Sequence, residues 1–93
     1  MVIQSFRCRD TEALSRGLRV PRFQAFETVA RHKLRQLEVA GGLDDLPIPP
    51  GNRLEPLSGD RRGQHSIRIN DQFRLCFHWS QAGPEEVELV DDH

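Results

Sequence analysis

The 93-residue sequence lacks several features that would assign it to a large functional class. Its two cysteines, Cys8 and Cys76, are too few for a disulfide framework, and a cytosolic protein would keep them reduced. These cysteines and the four histidines show no metal-ligand spacing such as CxxC or HxxxH. No run approaches the roughly 18 apolar residues of a membrane span, and the N-terminus does not resemble a signal peptide. We therefore expect a cytoplasmic protein with no membrane segment, metal or cofactor.

Glycine-rich phosphate loops, Ser/His/Asp patterns, repeats and linkers are also missing from the sequence. With 37% hydrophobic and 29% charged residues, the chain has the composition of one folded domain covering residues 1–93. The net charge of −1 argues against a protein that coats nucleic acid non-specifically. Residues 1–42 carry eight basic and four acidic residues (+4), and residues 43–93 carry five basic and ten acidic ones (−5). A polyanion site must therefore be local.

The clearest pattern is a hairpin between residues 65 and 79, in which apolar and polar residues alternate. This period of two is typical of two half-buried antiparallel strands. With residues 70–72 in the turn, apolar side chains meet across the strands, and the expected pairs are Ile69 with Phe73, Ile67 with Leu75, and His65 with Phe77.

The same register places Arg68 opposite Arg74. Like charges in this position destabilise a hairpin by roughly 0.2–1 kcal/mol. Either an anion lies between the two guanidinium groups, or each arginine reaches a separate carboxylate. The spacing alone does not separate these two interpretations.

Helices and further strands are expected on both sides of this hairpin. Residues 2–6 predict a first strand, and Asp10 or Thr11 can cap a short helix that stops at Gly17. A longer helix is predicted from Val20 to Gly41, because one set of apolar residues recurs at spacings of three and four: Phe23, Phe26, Ala30, Leu34 and Leu37. A proline-rich loop then brings Arg53 to the sheet edge, and the chain from Glu86 predicts a last strand that ends in residues 90–93 (VDDH). The expected class is α+β, with two N-terminal helices packed on one face of a small antiparallel sheet.

Residues suited to phosphate chemistry converge on this sheet. The set consists of arginines (Arg53, Arg61, Arg62, Arg68, Arg74), histidines (His65, His78, His93) and carboxylates (Glu55, Asp91, Asp92). Arginine stabilises phosphate charge, while histidine and carboxylate transfer protons. RNA supplies its own nucleophile, the 2′-hydroxyl, so this set suits cleavage of a phosphodiester without a metal.

Three segments resemble a known family. Residues 54–63 (LEPLSGDRRG), residues 66–77 (SIRINDQFRLCF) and the closing residues 87–93 (VELVDDH) are similar to the HigB group of the RelE toxin superfamily, the plasmid-maintenance toxins of bacterial toxin–antitoxin pairs. The resemblance covers essentially the whole chain. It implies helices packed on one face of a curved antiparallel sheet.

The resemblance also implies a function and partners. Such toxins enter the A site of the 70S ribosome and cut mRNA through attack of the 2′-hydroxyl. A HigA-like antitoxin with a helix-turn-helix region neutralises the toxin, and operator DNA is bound only through this antitoxin.

Family positions imply roles for individual residues. Arg74 would stabilise phosphate charge, and Asp91, His93 and Glu55 would belong to the catalytic cluster, with Ser58 in the same loop as Glu55. The remaining members of the converging set, including Asp92, would contact RNA. Family members often have tyrosine where this chain has Asp92, and some have histidine and lysine in place of Glu55 and Ser58. The alternative function is therefore a degenerate, non-catalytic homologue that still binds the antitoxin and takes part in operon regulation.

Overall fold

The structure, a computed structural model, describes residues 2–91. Two α-helices, α1 (Arg9–Ser15) and α2 (Glu27–Val39), precede a four-stranded antiparallel sheet, whose strands are β1 (Glu55–Pro56), β2 (His65–Arg68), β3 (Phe73–Ser80) and β4 (Gly83–Asp91). The strands lie in the order β1-β2-β3-β4, so each one pairs with its neighbour in the sequence. Among the described residues, four short 3-10 segments lie between these elements, at Pro21–Phe26, Leu43–Asp45, Pro50–Asn52 and Gly59–Arg61. The predicted α+β class is confirmed.

The predicted hairpin register is also confirmed. Four cross-strand pairs join β2 to β3: His65 with Phe77, Ser66 with Cys76, Ile67 with Leu75, and Arg68 with Arg74. The amide of Ile69 donates to the carbonyl of Phe73 at 3.0 Å, which closes the hairpin around residues 70–72. Because every second residue faces the same side, this register alone separates an apolar face from a polar one.

The core lies between the apolar sheet face and the helices. It combines Leu14, Phe23, Ala30, Leu34 and Leu37 from the helical part with Ile67, Leu75, Phe77, Val87 and Leu89 from the strands. A β-bulge interrupts the pairing of β3 with β4 between Cys76 and His78, and Glu86 there has a φ of 51°. Bulges increase strand twist, which contributes to the curvature of this small sheet.

The prediction of a first strand at residues 2–6 is wrong. This segment instead runs beside β4 and makes only an isolated parallel bridge between Phe6 and Val87. Backbone hydrogen bonds join Gln4 to Pro84, Arg7 to Val87 and Val87 to Ser5. The bulge at Glu86 breaks the regular spacing of donors on β4, so a continuous ladder cannot form.

Both predicted helices are present, but each begins differently from its prediction. Cys8 is the N-cap of α1 and makes no side-chain cap hydrogen bond, so the prediction that Asp10 or Thr11 caps this helix is wrong. Gly17 follows the helix with a φ of 85°, the left-handed conformation that favours glycine after a helix end. The longer segment starts at Pro21 as a 3-10 helix and becomes α-helical only from Glu27. Phe26 packs against Phe73 there, with ring centroids 4.4 Å apart.

Thr11 links α1 to the outer edge of β4. Its buried hydroxyl accepts a hydrogen bond from the amide of Leu89 at 3.0 Å. We expect Thr11→Val to lower the free energy of unfolding by about 1–3 kcal/mol, because the buried amide loses its partner. Thr11→Ser keeps the hydroxyl and should lose only about 0.8 kcal/mol for the missing methyl group. Urea denaturation of both variants measures the difference, and equal stabilities would show that the hydrogen bond contributes nothing.

Within residues 2–91, no helix has the length and apolar character needed to cross a membrane.

Candidate nucleic-acid interface

The sheet surface opposite the helices, here called the polar face, carries the side chains that could meet a phosphate. Register places the following residues on it: Glu55, Ser66, Arg68, Arg74, Cys76, His78, Glu88 and Val90. Arg74 lies on strand β3, opposite Arg68 on β2 and Val90 on β4. The polar face is therefore organised around one arginine.

Arg74 is held in a fixed position. The residue is only 7% exposed. Its Nε donates to Oγ of Ser66 at 2.7 Å, and its Nη2 donates to the carbonyl of Arg53 at 2.9 Å. The same Nη2 lies 3.2 Å from Oε1 of Glu55, whose side chain is 55% exposed. A guanidinium with this many partners cannot rotate freely, so its remaining donors point in a set direction.

The opposed arginines of the hairpin reach separate carboxylates. Arg68 pairs with Asp71 in the turn and also donates to the carbonyl of Asn70 at 3.2 Å. Arg74 pairs with Glu55 on the far side. Of the two interpretations left open by the sequence, the one with two separate ion pairs is therefore confirmed.

The other predicted RNA contacts on this side differ in their availability. Arg61 forms an ion pair with Glu88 at 3.1 Å and donates to Gln64 at 3.2 Å, whereas Arg53 and Arg62 are exposed. His78 is also exposed, and its Nδ1 lies 3.1 Å from the carbonyl of Gly63. Because a carbonyl only accepts, Nδ1 must carry the proton and Nε2 is the ring nitrogen left for a ligand.

His65 lies on the opposite side of the sheet from Arg68 and Arg74. Its pairing with Phe77 places it on the helix-facing side, where the two rings stack with centroids 6.5 Å apart. Its Nδ1 is buried and has no hydrogen-bond partner among residues 2–91. The register that pairs His65 with Phe77 therefore excludes it from the face of Arg74, and its contact with RNA stays a prediction.

Asp91 also lies away from Arg74. It pairs with Phe73, whereas Arg74 pairs with Val90, so Asp91 and Arg74 face opposite sides of the sheet. Oδ2 of Asp91 accepts a hydrogen bond from Gln72 at 2.9 Å, and Asp91 lines a cleft of about 340 Å³ with Arg22 and Phe73. The structure therefore does not place Asp91 on the face of Arg74, and a catalytic role for Asp91 stays a prediction. Asp92 and His93 lie outside the described residues.

Two contributors to the site were missed by sequence reasoning. Ser66 and the backbone carbonyl of Arg53 are the groups that fix Arg74. The register could have identified Ser66. This residue lies opposite Cys76, which shares a face with Arg74 and is two residues further along β3. No sequence pattern indicates the carbonyl of Arg53, because it depends on how the proline-rich loop ends. Ser58 is exposed and precedes the 3-10 turn that carries Arg61.

Arg53 has a strained backbone, with φ of 47° and ψ of 55°. This left-handed conformation costs a residue other than glycine roughly 1–2 kcal/mol. We expect Arg53→Gly to raise the free energy of unfolding by about 0.5–1 kcal/mol after the greater unfolded-state entropy of glycine is subtracted. Arg62→Gly is the matched control, because Arg62 has a φ of −54° and should lose about 0.5–1 kcal/mol. Denaturation curves that shift in the same direction for both variants would contradict this account.

The residues described contain no group of three or more histidine, cysteine or carboxylate side chains arranged to hold a metal ion.

Comparison with known proteins decides the family. A model of HigB-like toxins, described as the RelE-like toxin of the type II toxin–antitoxin system HigB, matches residues 17–93. The chain belongs to the HigB-like toxin family. The match covers α2 and the whole sheet, and the HigB group of the RelE superfamily predicted from the hairpin sequence is confirmed.

A curated HigB relative supports this assignment. The chain is 47% identical over 55 residues to Toxin HigB-1 of Vibrio cholerae serotype O1 (strain ATCC 39315 / El Tor Inaba N16961). The aligned part is 59% of this chain and 58% of that relative. The chain thus spans little more than half the length of the HigB toxin that it matches.

Proposed function

We propose that this protein is the toxin of a type II toxin–antitoxin pair and that it cleaves mRNA on translating ribosomes in the cytoplasm. The observation that carries the proposal is the pairing of a fixed, buried guanidinium with an exposed carboxylate, Arg74 with Glu55, at the centre of the polar face. Arg53 and Arg62 add exposed positive charge. Family membership supplies the substrate class, since composition and fold alone do not determine one.

The cleavage that we propose follows the route implied by the family resemblance. The 2′-oxygen of RNA attacks the neighbouring phosphorus, and the bond from phosphorus to the 5′-oxygen breaks. The products are a 2′,3′-cyclic phosphate and a 5′-hydroxyl. One group must accept the proton of the 2′-hydroxyl, and another must protonate the departing 5′-oxygen.

Arg74 and Glu55 take the two roles that geometry supports. The bonds to Ser66 and Arg53 use Nε and Nη2 of Arg74, so we assign its Nη1 to the phosphate oxygen that gains charge. Glu55 is assigned as the group that accepts the 2′-hydroxyl proton, because its carboxylate lies beside the guanidinium and reaches solvent. Asp91 is left out, because it faces the other side of the sheet.

His93 is assigned as the group that protonates the 5′-oxygen, and this role rests on the family resemblance alone. Deleting His93 should lower the cleavage rate by about 10²–10⁴-fold, the usual contribution of one acid–base group. Binding of the antitoxin should persist, which a pull-down with a HigA-like partner would measure. Full activity of the truncated chain would remove His93 from the mechanism.

The antitoxin that we propose is a HigA-like protein with a helix-turn-helix region, and operator DNA is contacted through that partner. A gene for such a protein directly adjacent to the toxin gene is an inexpensive first observation. Loss of toxicity on co-expression is the direct one.

A second candidate is a non-catalytic homologue that pairs with the antitoxin and regulates the operon. The ion pairs of Arg74 with Glu55 and of Arg61 with Glu88 favour it, because each arginine already has a carboxylate. Both candidates require the same partner and differ only in cleavage.

The deciding experiment expresses the chain without an antitoxin and maps mRNA ends on translating ribosomes. We expect growth arrest and new 5′-hydroxyl ends within codons. Arg35→Ala removes an exposed arginine from α2. It is the matched control for Arg74→Ala and should behave like the unaltered protein. If neither arrest nor new ends appear, the cleavage proposal is excluded, and binding of the antitoxin then tests the non-catalytic candidate.

A further inference from the structure

The proline-rich loop is fixed to α2 by one buried amide side chain. Asn52 is fully buried, and its Oδ1 accepts a hydrogen bond from Nζ of Lys33. Its Nδ2 donates to Oε1 of Gln36 at 3.0 Å and to the carbonyl of Leu46 at 2.9 Å. Every polar atom of this side chain is therefore bonded, so the loop has one position relative to the helix.

The residue after Asn52 connects the buried amide to the polar face. Arg53 adopts the left-handed conformation, and its carbonyl accepts the Nη2 hydrogen bond of Arg74 at 2.9 Å. The anchor amide and the acceptor carbonyl thus belong to neighbouring residues. A displacement of Asn52 by a fraction of an ångström would be transmitted to the guanidinium directly.

We propose that Asn52, held by Lys33 and Gln36 of α2, is a positioning residue that orients Arg74 for phosphate binding through the carbonyl of Arg53. The proposal rests on the proposed function, because it assigns a purpose to the fixed guanidinium. It links the helix layer to a site on the opposite face of the sheet. A misplacement of about 1 Å can slow a reaction that depends on alignment roughly a hundredfold.

Lys33 is the feature that makes this link testable. It is the only lysine among thirteen basic residues, and burial lowers its pKa from the ordinary value of 10.5. A partly buried ammonium group needs a hydrogen-bond acceptor, and Asn52 provides it. Lys33→Met keeps the aliphatic stem and removes the donor, so it loosens Asn52 while leaving the loop sequence unchanged.

The first measurement follows Arg74 directly. Nitrogen–proton spectra can follow the exchange of individual protons with solvent. We expect Lys33→Met to speed exchange of the Arg74 Nε proton at least about tenfold relative to the amide proton of Leu75 in the same strand. The ratio changes because local opening around Arg74 does not require global unfolding. Asn52→Asp, which keeps the acceptor for Lys33 and loses both amide donors, should do the same. Lys33→Arg keeps a donor for Asn52, so the ratio of the two exchange rates should equal that of the unaltered protein. Val20→Ala changes a core residue that takes no part in these hydrogen bonds, so it is the control for stability and should leave the ratio unchanged.

The second measurement is single-turnover cleavage on programmed ribosomes. Lys33→Met should lower the maximal rate about 10–100-fold and change the half-saturating concentration less than about threefold, because alignment is needed mainly in the transition state. An unchanged exchange ratio in Lys33→Met, or an equal fall in the rate with Val20→Ala, would overturn the proposal. If the unaltered chain cleaves nothing, the proposed function fails and the exchange ratio alone decides whether Asn52 positions Arg74.

Discussion

Replacing Arg74 with lysine should lower the rate of mRNA cleavage at least about a hundredfold, the loss expected when one preorganised donor to a developing negative charge is removed. Lysine keeps the positive charge but not the planar fork of donors that lets Nε bind Ser66 while Nη2 binds the carbonyl of Arg53. Single-turnover cleavage on programmed ribosomes measures the effect. Arg74→Ala should lose more, because the charge is removed as well.

Stability must be followed alongside activity in these variants. Ser66 and the carbonyl of Arg53 lose a buried charged donor, so the free energy of unfolding should fall by about 1–3 kcal/mol. Arg35→Lys makes the same chemical change on the exposed side of α2 and should leave the rate unchanged. Cleavage by Arg74→Lys at the unaltered rate, with the protein still folded, would remove Arg74 from catalysis.

The hairpin was predictable because the apolar pattern determines its register. The alternation of apolar residues fixes which side of each strand faces the core, and a turn of residues 70–72, unlike one of residues 70 and 71, lets these sides meet. Together they predicted the pairing of Ile67 with Leu75 and of Arg68 with Arg74, and both are confirmed. The apolar face of α2 was predictable for a similar reason, since Ala30, Leu34 and Leu37 are all buried.

Segments whose conformation depends on tertiary contacts were not predictable in detail. Residues 2–6 have the composition of a strand, but the bulge at Glu86 leaves them only an isolated bridge to β4. The start of the long helix is 3-10 rather than α, where Phe26 packs on Phe73. Neither the bulge nor the aromatic packing has a signal in the local sequence.

The candidate site was predicted in its chemistry and only partly in its geometry. Arg74 and Glu55 do meet, although β1 has only two residues and no periodic pattern. His65 and Asp91 lie on the two strands that flank β3, but the register places both on the side opposite Arg74. Asn52 was missed, since no local pattern distinguishes an asparagine that anchors a loop from one that only turns it.

Replacing Glu55 with glutamine should have the second largest effect on the cleavage rate. Whether the rate falls or rises distinguishes two roles for this carboxylate. If Glu55 accepts the proton of the 2′-hydroxyl, Glu55→Gln lowers the maximal cleavage rate by about 10²–10⁴-fold. If Glu55 only neutralises Arg74 in the free protein, the same change frees the guanidinium, and RNA binding and cleavage increase. We expect the decrease, because the carboxylate is 55% exposed beside a guanidinium that is already fixed by Ser66 and Arg53.

Glu88→Gln is the matched control for Glu55→Gln, because Glu88 lies on the same face and also pairs with an arginine, Arg61. It removes the same charge from a partly exposed ion pair, which contributes about 1 kcal/mol or less to stability. The maximal rate should change less than about threefold, because Glu88 is assigned no proton transfer. Stability should change little in Glu55→Gln for the same reason, so a lost rate cannot be attributed to unfolding. A higher rate in Glu55→Gln would assign the proton transfer to another group and leave Glu55 as a carboxylate that the RNA phosphate displaces from Arg74.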